Sequence, residues 1–103
     1  MPNTKEREAE RGQTHYVAAT HRRIAGVGTV SYILEQECGE SRTVYGTPCE
    51  EFYSLTVRSA REECRLVDIA REREAALSLC LRFATLGVLP DGAEEAYEEL
   101  CYT

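Results

Sequence analysis

The chain has 103 residues and a formal net charge of −6, with 43% apolar and 29% charged side chains. These proportions suit one globular domain with a modest core and argue against general disorder. No apolar run approaches the ~18 residues that a membrane-spanning helix requires, so no membrane association is expected.

The charge is unevenly placed. Residues 1–23 hold five basic and three acidic side chains, whereas the remainder holds seven basic and fifteen acidic ones. A body that is net acidic by eight charges repels phosphate backbones, so direct nucleic-acid binding is not expected. Residues 1–13 are polar and uncapped and read as a flexible charged N-terminal arm. Residues 14–103 read as a single α+β domain. The five cysteines, Cys38, Cys49, Cys64, Cys80 and Cys101, are widely spaced with no C-x-x-C pair. With no apolar h-region at the start, this spacing points to reduced thiols and a cytoplasmic protein. Cys80 and Cys101 fall where helices would carry a small hydrophobe.

In chain order, Thr14 to Thr20 reads as a short strand that His21-Arg22-Arg23, Gly26 and Gly28 interrupt. Val30, Tyr32 and Leu34 alternate with Ser31, Ile33 and Glu35, the period-2 signature of a half-buried strand. Cys38-Gly39-Glu40-Ser41 reads as a turn into a second extended segment, Arg42 to Thr47, which Pro48 breaks because it offers no N–H to a ladder. Phe52 to Val57 places Tyr53, Leu55 and Val57 on one face, and Tyr45, Tyr53 and Phe52 are expected mostly in the core. A turn at Ser59-Ala60-Arg61 leads to a further strand, Cys64 to Ile69.

Two helices follow. Ala76, Leu79, Cys80 and Phe83 recur at i, i+3, i+4 and i+7, a stripe for packing on a core, and Leu77, Leu81 and Ala84 widen it. This helix, about Arg71 to Leu86, is expected to be the most buried element. Gly87 suits the left-handed position that closes a helix, and Pro90 prevents continuation. Asp91 and Glu94 form a D-x-x-E capping pattern before a second helix with Ala93, Ala96, Tyr97 and Leu100 on its apolar side. The expected fold class is therefore α+β, an antiparallel three- to four-stranded meander packed against a C-terminal pair of α-helices.

The chemistry-bearing residues are sparse. A helix-turn-helix is rejected because the second helix carries Glu94, Glu95, Glu98 and Glu99 and neither Lys nor Arg. His15 and His21 accompany no compact ligand set, so no metal is expected. Gly26-Val27-Gly28 lacks the third glycine and following helix of a phosphate cradle. No nucleophile stands beside a base, and no carboxylate pair sits in an apolar setting, so neither catalysis nor a cofactor is expected. The four glutamates form like-charge i, i+4 pairs, each destabilising by about 0.2–0.5 kcal/mol. The helix N-terminus returns a similar amount to Glu94 and Glu95, roughly 0.3–1 kcal/mol. They read either as a solvated helix face or as a contact for a basic surface, and they are the candidate partner-binding residues.

The run Val30-Ser31-Tyr32-Ile33-Leu34-Glu35, then Val44-Tyr45-Gly46, Val67-Asp68-Ile69-Ala70, Gly87-Val88-Leu89-Pro90 and Glu98-Glu99-Leu100, resembles a family of short uncharacterised proteins (a domain of unknown function) from clostridia and related Firmicutes. Members carry a Y-x-L-L-E strand, a Y-G-I-type strand, a D-I-S entrance to the helix and a closing helix with an E-D-F-L-like end. The resemblance spans residues 29–101. The chain departs from it with Thr47-Pro48 after the Y-G step and Ala70 in place of a capping Ser. It implies the fold and no assigned activity.

The sequence thus points to a small cytosolic, non-catalytic protein-interaction module whose partner presents a basic surface. The alternative is an acidic inhibitor of the phage or mobile-element type, which blocks a nucleic-acid-binding enzyme as an anti-CRISPR or nucleic-acid mimic would. An open sheet also leaves edge strands that can support a homo-oligomer.

Overall fold

Alternation in the second strand sets the core. Val30, Tyr32 and Leu34 are fully buried, and their cross-strand neighbours Leu55 and Val57 are too. The computed structural model describes residues 14–38 and 51–102. Four strands form one antiparallel sheet in sequence order: β1 (Thr14–Ile24), β2 (Gly28–Cys38), β3 (Glu51–Arg58) and β4 (Glu63–Ala70). Two helices follow, α1 (Arg73–Leu86) and α2 (Ala93–Tyr102), separated by a 3₁₀ turn at Pro90–Gly92. The fold is α+β, a four-stranded meander with both helices C-terminal to it. No helix among the described residues is long and apolar enough to cross a membrane.

The first strand is longer than its sequence suggests. It runs through His21-Arg22-Arg23 to Ile24 and pairs with β2 along its length. The glycines do not interrupt it. Gly26 and Gly28 adopt φ of +80° and +101°, a conformation L side chains resist, and so close a tight hairpin after β1. The Val27 N–H donates to the Ile24 carbonyl at 3.0 Å across that turn. A register shift between Tyr16 and Ala18 puts one extra residue in β1. The expected N-terminal arm (1–13), turn residues 39–41, strand 42–47, the break at Pro48, and Tyr45 lie outside the described residues.

The most buried element is β3, not the first helix. Tyr53, Ser54, Leu55, Thr56 and Val57 are buried in succession. An inner strand is flanked on both edges, whereas a helix laid on one sheet face keeps its back to solvent. Accordingly α1 buries only Ala76, Cys80 and Phe83, and Leu81 remains 60% exposed. The helix begins at Arg73 rather than Arg71, after Asp68 takes a positive φ of 58° at a second register shift.

The end of α1 is closed as its sequence implies. Gly87 has φ 66°, its N–H donates to the Ala84 carbonyl at 3.2 Å, and the Val88 N–H donates to the Phe83 carbonyl at 3.1 Å. The last turn contains no basic residue of its own. Arg22 of β1 supplies the cation instead, donating to the Ala84 carbonyl at 2.9 Å and to that of Thr85. Positive charge at a helix C-terminus contributes about 0.3–1 kcal/mol. Tyr32 donates from its hydroxyl to the Val88 carbonyl at 2.9 Å, tying β2 to the same corner. Burial pushes the Tyr32 phenol above its usual range, and Arg22 partly offsets this.

The start of α2 differs from the expected capping pattern. Asp91 lies inside the 3₁₀ turn, whose Gly92 N–H donates to the Leu89 carbonyl at 3.0 Å, and α2 begins only at Ala93. Pro90 imposes this tighter turn by fixing φ at the turn's first residue. Ala93 is fully buried, and Ala96, Tyr97 and Leu100 pack against the core.

Candidate functional site: an acidic helix face

At 100° per residue, Glu94, Glu95, Glu98 and Glu99 fall within about 140° of arc on α2. The opposite side carries Ala93, Ala96, Tyr97 and Leu100, and packing of those residues sets the orientation of the helix. Tyr97 fixes it further by donating from its hydroxyl to the Ile69 carbonyl of β4 at 3.0 Å. The Tyr97 phenol is pushed up by burial first, then by a hydrogen bond with Cys101 and by the charges of Cys101 and Asp68. The four glutamates are exposed as a result. None of them is held in an ion pair among the described residues. Glu94 lies on the β4 side of the ridge, where its charge adds to burial in raising the Cys64 thiol above its usual range. Glu95 and Glu99 lie on the side toward Ala96 and Leu100.

A second charged group was not apparent from the sequence. On the sheet face away from the helices, Arg65 of β4 donates to Glu35 at 2.8 Å and to Glu37, both on β2. Ser54, on the strand between them, donates to Glu37 at 2.5 Å and accepts the Asp68 N–H at 3.3 Å. Arg71 reaches back to both Asp68 oxygens, at 2.9 and 3.0 Å. Arg58 pairs with Glu63 at 2.6 Å. The period-2 spacing of Glu35 and Glu37 signals that they share a face, but only the β2–β3–β4 register brings Arg65 to them. These pairs satisfy one another.

The histidines are not brought together. His15 pairs with Gln36 and His21 with Ser31, an odd offset on β2 that places them on opposite sheet faces. An even spacing along β1 would have put them on one face, and the register shift after Tyr16 reverses this. His21 is hydrogen-bonded through Nδ1 to the Ser31 hydroxyl at 2.8 Å. Among the described residues, no three His, Cys, Asp or Glu side chains gather as metal ligands would.

Cys64, Cys80 and Cys101 form no disulfide among the described residues. Cys80 is buried and donates to the Tyr32 carbonyl at 3.6 Å, and burial raises its thiol above the ordinary range. Cys101 is exposed rather than packed as a small hydrophobe, because it follows Leu100 around the helix and misses the core. Of the aromatic residues expected in the core, Tyr53 is buried and Phe52 half-buried.

Comparison with known proteins gives no match to a family model, to a curated protein or to a solved structure.

Proposed function

We propose that the protein is a small, non-catalytic, cytoplasmic interaction module whose α2 ridge docks on a basic surface of a protein partner. The supporting observation is the contrast in charge pairing. Arg58, Arg65 and Arg71 are each held by a carboxylate of the sheet region, while Glu94, Glu95, Glu98 and Glu99 stand exposed and, among the described residues, without a cation. Two like-charge i, i+4 pairs weaken an isolated helix slightly, and a cationic partner reverses that cost on binding. The resemblance to the clostridial family is compatible with this role and assigns no chemistry to it.

One quantity favours the narrower reading, an acidic inhibitor occupying the nucleic-acid groove of an enzyme. Four carboxylates over about 7.5 Å of helix axis approach the duplex density of one charge per ~1.7 Å.

The test immobilises the full chain and measures capture of partners from the native host, beside the Glu95→Lys/Glu99→Lys variant. Both positions are exposed, so the variant keeps its helical circular dichroism. Capture that falls at least about tenfold supports the ridge, consistent with the cost of opposed like charges. Capture that is unchanged removes the ridge from consideration. Release of the partner by added duplex DNA selects the inhibitor reading over the general module.

A further inference from the structure

The outer face of α1 is unusual for a helix with one side already on a core. Leu81 is 60% exposed and Leu86 64% exposed, and with half-buried Leu77 and Leu100 they line an open groove of about 690 Å³. The same groove is lined by Glu74, Ser78 and Arg82, which succeed one another at i, i+4 and i+8 along α1. Glu74 and Arg82 are both exposed, and neither is in an ion pair among the described residues.

This pattern is self-complementary. Ser78 stands midway between one acidic and one basic residue on a single ridge. A two-fold axis through Ser78 would lay two α1 helices antiparallel, each Glu74 against Arg82 of the second copy. At 100° per residue Leu77 and Leu81 fall on one side of that contact line, and the two-fold axis puts the pair from each copy on the same side. A small side chain at the crossing point lets helix axes approach to about 8–10 Å. An isologous contact of this kind closes on itself and limits assembly to a dimer.

We propose that the α1 groove seats a second copy of the chain, in an antiparallel two-fold pairing centred on Ser78. Charge complementarity argues for this occupant: an antiparallel copy satisfies both Glu74 and Arg82, whereas a uniformly cationic helix would pair with Glu74 and oppose Arg82. They also favour α1 over the sheet edges, since the outermost strands β1 and β4 each carry a register shift and charged side chains that discourage edge pairing. The pairing draws on the charges and leucines of α1 and not on the α2 ridge, so it stands or falls separately from the proposed partner contact.

Sedimentation of the full chain tests it by charge exchange. The wild type sediments at twice the chain mass. Glu74→Arg and Arg82→Glu each place like charges in both symmetric contacts and weaken self-association by about tenfold or more. Mixing the two variants restores a heterodimer, because every Arg then meets a Glu. Leu81→Glu gives a monomer with unchanged helical circular dichroism. A wild type that stays monomeric, or single variants that associate as tightly as the wild type, overturns the proposal. Failure of the mixed variants to recover association does so as well.

Discussion

On the helix-covered face of the sheet, Val30, Tyr32, Leu34, Leu55 and Val57 share one buried cluster with Phe83 and Cys80 of α1, whereas on the other face Glu35 and Glu37 hold Arg65 across β3. The first arrangement removes apolar area from water, at about 25 cal/mol per Å². The second pairs half-exposed charges, a class of contact that contributes about 0–1 kcal/mol. Stability is therefore one-sided, carried by the covered face. The charged face contributes mainly order, fixing long side chains over the small residues Ser54 and Thr56 that the β-strand register places there. The α2 glutamates differ from both, since they are exposed and no cation among the described residues engages them.

The sharpest way to break this comparison is to remove area from the covered face. Phe83 is fully buried, and Phe83→Ala is expected to cost about 3–5 kcal/mol in urea unfolding, with an unchanged dependence on denaturant. A loss below that of any charged-face variant would refute the one-sided account.

A smaller effect follows from the groups enclosed in the covered face. Burial raises the Cys80 thiol above its ordinary value of 9.0 and the Tyr32 phenol above 10.0. Both groups are neutral when protonated, so a raised folded-state value means that the folded chain holds its proton more tightly than the unfolded one. Their contribution is fully present below the unfolded values and is lost as pH rises through the folded ones. Stability should thus decline as pH climbs past about 9, first through Cys80, and past about 10 through Tyr32 as well. In Cys80→Ala the earlier part of that decline should flatten when unfolding midpoints are followed against pH. An identical profile in the variant would mean the thiol is not the group responsible.

The smallest change is expected on the open face. Arg65→Met removes both ion pairs of the β2–β4 bridge yet keeps the long aliphatic stem, and should alter unfolding free energy by about 1 kcal/mol or less. Adding salt to the wild type should reproduce part of that loss by screening. A loss comparable with that of Phe83→Ala would show the two faces to be equal contributors.

Local periodicity determined much of this protein from sequence alone. The alternation at Val30, Tyr32 and Leu34, the i, i+3, i+4, i+7 stripe of Ala76 to Phe83, and the left-handed closure at Gly87 are decided by residues within a few positions of one another, so they are legible in one dimension. The same holds for the exposure of Glu94, Glu95, Glu98 and Glu99, which follows from the helical repeat once Ala93, Tyr97 and Leu100 face inward. Only the tertiary structure decided which elements meet. It continued β1 through His21-Arg22-Arg23 because β2 offered a full ladder. It brought Arg22 to the carbonyls of α1, 62 residues away, and set Arg65 beside Glu35 and Glu37. It also made β3, rather than α1, the most buried element. The reason is physical: backbone pattern repeats every two or 3.6 residues, while cross-strand register is chosen by the summed fit of a whole sheet, which no single segment encodes.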